Sequence, residues 1–264
     1  MEPAPRGPRL MALADFQRAI VALAASPELC ARVRAGDDAE GLRGYTLTER
    51  ERMRLRDAAG QRGMTVNAML YRSNRLAPLA SQLRYTCFLL GTAMRGLASA
   101  YWAQNPVVER NAPTEVRRFA AFVRGRIAAG EVEDPLVGEV LEWEMEGFEL
   151  ALLAPRRTMD ALGGAAERAR ADAPLRTHPL VGVARFSREP GAVLGALAAK
   201  RPLPYDDLLE GVFHLVMDAR TEPRSLRMVP AATAAAFRAL RAGRLLSRLE
   251  AEDLVDRGLV IAAE

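Results

Sequence analysis

The sequence has few of the side chains that hold metals or form covalent crosslinks. Its 264 residues include only two cysteines, Cys30 and Cys87, and two histidines, His178 and His214. Two isolated cysteines form no disulfide framework and lack zinc-ligand spacing, and the two histidines are also far apart in the sequence. These absences argue against a self-contained zinc or redox metal site, and we expect a reducing, cytoplasmic location.

Other recognisable segments are missing as well. No apolar run is long enough for a membrane span, and Met1 to Pro8 lacks the apolar core of a signal peptide. We find no P-loop, no Rossmann glycine motif after a strand, no HExxH and no CxxC. Lys200 is the only lysine among 37 basic residues, and 33 acidic residues are interleaved with them, which is weak evidence for a nucleic-acid surface.

What the sequence does contain is a sizeable apolar fraction, 50%, arranged first at helical spacing. Thr48 followed by Glu51 predicts a capping box at the start of a helix. The most apolar segment, Tyr85 to Ala98, predicts one central, buried helix. We expect a disordered tail over residues 1–9 and a helical domain over 10–155.

The pattern changes after residues 156–176, which we interpret as a linker or surface helix. Alternation predicts strands at Leu180–Phe186, Val212–Asp218 and Leu226–Val229, and helical patterns follow at Ala231–Ala242 and Leu249–Gly258. The predicted fold class is therefore α+β. A mostly α-helical N-terminal domain precedes a small winged-helix-like or peptide-recognition α+β domain over 177–264.

Few side chains suit catalysis. His178 stands at a strand entry and His214 inside an apolar strand, so we interpret both as structural. The glutamates of the helix predicted at residues 139–149 could form acid–base pairs, although a solvated acidic face is the simpler interpretation. We therefore expect the chain not to be an enzyme, and an enzyme that uses this glutamate-rich helix is the least favoured hypothesis.

The densest polar group lies on the helix predicted around residues 67–75. Asn67, Tyr71, Asn74 and Arg75 share one helix face, and Arg72 lies about 100° away. This stripe is either a solvated face or a hydrogen-bonding surface, since tyrosine and arginine are frequent in interface hot spots. The candidate partner-interface residues are Asn67, Tyr71, Arg72, Asn74, Arg75 and Tyr85.

The C-terminal domain suits backbone recognition, because an exposed strand edge offers unpaired N–H and C=O groups to an incoming peptide. The alternative is a sheet whose edges are protected. Gly182 predicts room for close backbone approach, and Arg185 could meet acidic residues of the peptide. The candidate peptide-binding residues are Leu180, Val181, Gly182, Val183, Ala184, Arg185, Phe186, Phe213, Leu215 and Met217.

Several stretches resemble a known family. They are Leu47–Glu51, Gly63–Met64, the Asn67–Leu76 group, Tyr85–Gly91, His178–Val181, Arg185–Phe186, the helix that begins at Pro190, and Phe213–Asp218. Together they resemble the partner subunits of multinuclear non-heme iron oxidases in ribosomal peptide, methanobactin-type, biosynthesis. The longer N-terminal tail and the glutamate-rich 139–149 helix have no counterpart in that resemblance.

The resemblance implies a non-catalytic subunit that forms a heterodimer with a TIM-barrel iron oxidase. The C-terminal domain would bind the leader of a precursor peptide by strand addition and present that peptide to the oxidase. The chain itself would need no cofactor, and the iron would belong to the partner enzyme. We expect neither nucleic acid nor a membrane as a partner.

The alternative hypothesis is a winged-helix DNA-binding regulator with a helical sensor or dimerisation domain. Arg238, Arg241, Arg244 and Arg248 recur at three- and four-residue steps and could line one basic face. A recognition helix needs polar side chains that read bases, however, and Ala231–Ala242 is mostly alanine. This composition favours a peptide ligand over DNA.

We expect the purified chain to hold no stoichiometric iron, because two histidines and two isolated cysteines are too few ligands for a multinuclear centre. Elemental analysis of the protein, purified without chelator, measures this directly. Tightly bound, stoichiometric iron in the chain alone would contradict the subunit hypothesis.

Overall fold

The computed structural model describes residues 8–105, 111–153, 169–221 and 224–263. Its architecture is α+β, with a mostly helical N-terminal part followed by a small sheet, which confirms the predicted fold class. The tail predicted over 1–9 lies outside the described residues except for its last two positions, which begin the first helix. The helices before the sheet are α1 (Pro8–Ala25), α2 (Pro27–Arg34), α3 (Asp38–Gly41), α4 (Glu49–Gly60), α5 (Arg62–Gln82), α6 (Arg84–Leu90), α7 (Ala93–Gln104), α8 (Ala112–Ala128) and α9 (Pro135–Leu153).

The chain forms two compact units whose limits differ from the predicted domains. Unit one comprises Met1–Ser81 and Thr92–Phe119, and unit two comprises Gln82–Gly91 and Ala120–Glu264. The sequence instead suggested one boundary at 156–176, most of which lies outside the described residues. Apolar periodicity shows that α6 and α9 each have a buried face, but it does not show that this face packs against the C-terminal sheet.

Unit one has its core where α1, α2 and α4 meet. Leu23, Val33, Leu42, Leu55 and Ala59 are buried together there. The predicted capping box at the start of α4 is confirmed: the Glu51 amide donates to Thr48 Oγ1 at 3.3 Å, and the Thr48 amide donates to the Glu51 carboxylate at 2.7 Å. The box satisfies amides that the first turn of a helix leaves without partners.

The apolar segment Tyr85–Ala98 is not the single helix that its composition predicts. It forms α6 and the first half of α7, which are separated at Gly91. Gly91 has φ +51°, in the left-handed region that glycine adopts without a steric penalty. Since a lone glycine is tolerated inside many helices, the apolar pattern alone does not reveal this break.

Unit two contains the sheet. The strands are β1 (Leu175–Thr177), β2 (Val181–Arg188), β3 (Glu210–Asp218), β4 (Ser225–Val229) and β5 (Val260–Ala262). The helices that accompany them are α10 (Pro190–Ala198), α11 (Ala231–Arg241) and α12 (Arg248–Asp256), with a 3-10 turn at Tyr205–Asp207. The three predicted strands are confirmed as β2, β3 and β4, whereas β1 begins at the end of the stretch interpreted as a linker, 156–176.

The main sheet is antiparallel in the order β2-β3-β4, so β3 is central and β2 and β4 are edges. Val183 pairs with Val216, and Arg185 pairs with His214. The register shifts between Phe186 and Arg188, which leaves Ser187 as a bulge. β1 pairs with β5 in a separate two-stranded sheet.

Helices cover both faces of the main sheet. On one face, Ala184 and Phe186 pack with Leu136 and Val140 of α9 and with Val193 of α10. On the opposite face the core consists of Val181 and Val216 from the sheet, Ala234 and Phe237 from α11, and Leu254 from α12. The β2 edge therefore runs between α9 on one side and α11 on the other.

Helix α9 is not a solvated acidic face. Glu144 is buried and caps α6: its Oε1 accepts from the Tyr85 amide at 2.7 Å, and its Oε2 accepts from the Thr86 amide at 2.9 Å and the Thr86 hydroxyl at 2.7 Å. Burial raises the pKa of Glu144, and these hydrogen bonds oppose that rise. On the exposed side of the same helix, Glu142 pairs with Arg124.

We expect Glu144→Ala to lower the free energy of unfolding by about 2–3 kcal/mol, because it leaves the buried Thr86 donors without an acceptor. Glu142→Ala removes a half-exposed ion pair of the same helix and should cost under about 1 kcal/mol. Urea denaturation of both variants measures the difference. Equal losses would show that the Glu144 cap contributes no more than a surface pair.

Candidate functional site

The outer edge of β2 carries backbone groups that β3 does not use. The Ala219 amide donates to the Leu180 carbonyl at 2.9 Å, which sets the alternation of hydrogen-bonded pairs along the two strands. In an antiparallel ladder only every second residue bonds the neighbouring strand. The amides of Val183 and Arg185 therefore point away from β3, and no acceptor for either lies within the described ranges.

A groove runs along this edge. It is open to solvent, has a volume of about 530 Å³, and is lined by the β2 segment Val183–Arg185, by residues of α9 and by Arg238 of α11. The α9 side is formed by Pro135, Gly138, Glu139 and Glu142, with Ile127 of α8 beside them. An extended segment laid in this groove would reach the two free amides.

Polar contacts close both ends of the free edge. At one end, Glu139 of α9 accepts hydrogen bonds from the amide of the bulged Ser187 at 2.8 Å and from its hydroxyl at 3.1 Å. At the other end, Glu146 of α9 forms an ion pair with Arg241 of α11. Because these helices lie on opposite faces of the sheet, the ion pair crosses the outer edge of β2. The stretch between these contacts is short and centres on Val183 and Arg185.

Gly182 does not serve the purpose that the sequence suggested. A Cβ at this position would collide with the side chain of Glu146, so the missing side chain makes room for α9. The close approach predicted at Gly182 is therefore an internal contact and not a contact with a ligand. The glycine allows α9 to lie close to β2, because the carboxylate of Glu146 fills the space above it.

The groove wall on the α11 side is positively charged. Arg185 and Arg238 are exposed there, and Arg238 Nη2 lies 2.9 Å from Nδ1 of the buried His214. Burial and the charges of Arg238 and Arg185 lower the pKa of His214. Burial and the neighbouring Arg185 lower the pKa of Arg238. Neither arginine has a carboxylate partner in the part of the chain that the structure describes.

Most of the predicted peptide-binding side chains belong to the protein core. The buried ones are Leu180, Val181, Gly182, Ala184, Phe186, Leu215 and Met217, and Phe213 is half-buried. Phe213, Leu215 and Met217 also lie on β3, whose two sides are paired with β2 and β4. Only Val183 and Arg185 offer both a free amide and an accessible side chain. Glu139, Glu142 and Arg238 line the groove too, and nothing local in the sequence placed them beside β2.

The structure places the predicted partner-interface residues in different environments, some exposed and some buried. Asn67 and Asn74 are exposed, and Tyr71 and Arg72 are half-buried on α5. Arg75 is 3% exposed and Glu115 is 2% exposed, and Arg75 Nε donates to the Glu115 carboxylate at 2.7 Å. Arg75 Nη1 also donates to the Asn105 carbonyl at 2.8 Å. Arg75 is thus an internal ion-pair residue of unit one.

Tyr85 belongs to unit two, where it does not share the α5 stripe. Its ring stacks on Trp143 of α9 with 5.7 Å between the ring centroids, and the Arg84 guanidinium lies 4.4 Å from the Tyr85 ring centroid. Tyr85 therefore joins α6 to α9 through ring packing. The exposed part of the predicted stripe is reduced to Asn67 and Asn74, flanked by Tyr71 and Arg72.

The remaining chemistry-bearing side chains have structural surroundings. His178 is buried and its Nδ1 accepts from the Leu180 amide at 3.1 Å, as expected of a turn residue. Burial raises the pKa of the Cys87 thiol to about 12. Across the described ranges, no group of three or more His, Cys, Asp or Glu side chains is placed to hold a metal ion. No described helix has the length and apolarity that crossing a membrane requires.

No protein-family model matches the chain, and no curated protein matches it.

We expect Arg75→Ala to lower the free energy of unfolding by about 3–5 kcal/mol, because it leaves the Glu115 carboxylate buried and unpaired. Adding Glu115→Ala should recover part of that loss. The matched control is Arg72→Ala, which removes a more exposed pair with Glu28 and should cost under about 1 kcal/mol. Urea denaturation of the three variants measures these values, and an Arg75→Ala loss as small as that of Arg72→Ala would contradict the structural role.

Proposed function

We propose that the chain is a non-catalytic peptide-binding subunit, which takes the leader of a ribosomally made precursor peptide as an added strand on β2. One observation carries this proposal: the amides of Val183 and Arg185 are free and open into a groove. A peptide strand supplies carbonyls at the spacing that such an edge requires. The groove walls then contact alternate side chains of the peptide, which gives the site sequence preference.

We further propose that the subunit delivers this peptide to an iron-dependent, peptide-modifying oxidase in a heterodimer. The family resemblance of the sequence supports this part. Holding the leader keeps the rest of the precursor near the partner's iron site at roughly millimolar local concentration, so a weak affinity of the modified segment for the active site suffices. Because the chemistry would then occur on the partner, the subunit itself needs no metal or nucleophile.

A DNA-binding regulator is the alternative, and the charges of the C-terminal helices argue against it. Of the four arginines that could line a basic face, Arg241 pairs with Glu146 and Arg248 pairs with Glu252. Arg238 lines the β2 groove, where it contacts His214. Helix α11 also buries Thr233, Ala236 and Phe237 against the sheet, and its exposed side has alanines where a recognition helix needs base-reading side chains.

The strand-addition site is tested with a proline at Val183. Proline removes the amide that faces the groove, and an edge strand tolerates proline without loss of a ladder hydrogen bond. Met228→Pro is the matched control, since the same alternation leaves the Met228 amide free on the opposite edge, β4, where this side chain is 57% exposed. Circular dichroism of both variants verifies folding.

The probe is a displayed library of random twelve-residue peptides, selected on the full wild-type chain. We expect the enriched peptides to bind at least tenfold more weakly to Val183→Pro and equally well to Met228→Pro, as measured by fluorescence anisotropy. Failure to enrich any peptide, or equal binding to the folded Val183→Pro variant, would contradict the proposal. Salt-sensitive binding of random duplex DNA in the same assay would favour the alternative.

A further inference from the structure

The strongest feature that the proposed function leaves unexplained is the uncompensated positive charge in the groove. Several arginines of unit two have carboxylate partners: Arg124 pairs with Glu142, Arg220 with Asp218, and Arg257 with Asp253. Arg185 and Arg238 have no such partner among the described residues, although both line the same groove. Like charges held close together destabilise a fold unless an anion joins them.

The carboxylates within reach of the groove do not neutralise these two arginines. Glu142 is engaged by Arg124, whose Nε and Nη2 donate to its two oxygens at 2.5 and 2.9 Å. Glu139 is engaged by the amide and hydroxyl of Ser187. The polar group that Arg238 does contact is the imidazole of His214, at 2.9 Å. The α11 side of the groove is therefore left with positive charge.

The geometry of strand addition directs peptide side chains to this charge. A residue placed opposite Val183 or Arg185 points its side chain to the same face of the sheet as those residues. That face is covered by α11, which carries Arg238. The residues before and after it in the peptide point to the other side, where Ile127 and Pro135 lie beside two carboxylates that already have partners, Glu139 and Glu142.

We propose that the β2 groove recognises a peptide strand with an aspartate or glutamate whose carboxylate binds between Arg185 and Arg238. Guanidinium groups donate charge-assisted, often bidentate hydrogen bonds to carboxylates, which makes two of them a strong and directional anion site. The parts of the opposite wall formed by Ile127 and Pro135 favour apolar residues beside the acid. This inference rests on the proposed peptide-binding function and names the chemical class of its ligand.

The test uses the peptides enriched on the wild-type chain that lose binding to Val183→Pro. We expect these edge-bound peptides to share an Asp or Glu at one position. Changing that acid to its amide should weaken binding to the wild-type chain about tenfold. Arg185→Gln and Arg238→Gln should each weaken binding of the acidic peptide to a similar degree. The amide peptide should bind these variants and the wild-type chain with equal affinity.

Arg244→Gln is the matched control, because it removes the same charge from the loop after α11 and leaves the residues that line the groove unchanged. It should change affinity less than twofold. Selection on an Arg185→Glu, Arg238→Glu double variant should replace the acid with Lys or Arg at the same position. Circular dichroism of every variant verifies its folding.

Edge-bound peptides without a shared acid, or an acid-to-amide change without effect, would overturn this inference and leave the peptide-binding function standing. An equal loss of affinity with Arg244→Gln would also overturn it, because the attraction would then depend on net charge and not on the two groove arginines. A library from which no peptide is enriched would overturn both proposals.

Discussion

The packing and the glutamate contacts of helix α9 hold the rest of unit two in place. Its apolar side packs on the sheet, and its glutamates reach four different elements: Glu139 holds the β2 bulge, Glu142 holds α8, Glu144 caps α6 and Glu146 pairs with α11. Glu139 and Glu144 accept backbone amides that would otherwise lack a protein partner, and for the buried Glu144 these hydrogen bonds offset its desolvation. Because Glu139 and Glu146 contact β2 at its two ends, the same helix also determines which part of that edge stays free.

The free edge is short, and this length has a physical reason. A long, flat and apolar edge pairs with any other strand, whereas bulges and charged side chains restrict such pairing. β2 has both features, since Ser187 is bulged and Arg185 is exposed beside the free amides. An edge of this kind resists pairing with a second copy of itself, because two arginine-lined edges repel, whereas a strand of complementary charge would meet no such repulsion.

Local patterns in the sequence correctly predict much of the secondary structure. The capping box at Thr48 and the alternation of β2 and β3 depend on residues close together in the chain. Local patterns did not predict the roles of residues whose partners are distant in the chain. Position 182 needs a glycine because the side chain of Glu146 lies against it. The arginine at position 75 is buried because it pairs with the buried carboxylate of Glu115. No spacing rule within α5 or β2 reveals either partner.

The features of the candidate site likewise divide into those set by local sequence and those set by long-range contacts. The sequence by itself determined that residues 180–186 form a strand with an arginine in it, and that the chain has only two histidines and two cysteines. Only the tertiary structure decided that β2 is an edge while β3 is central, that Val183 and Arg185 are the positions whose amides stay free, and that Arg238 shares their groove. The reason is that strand order and the packing of α9 and α11 depend on contacts between residues far apart in the chain, whereas alternation and capping depend on near neighbours.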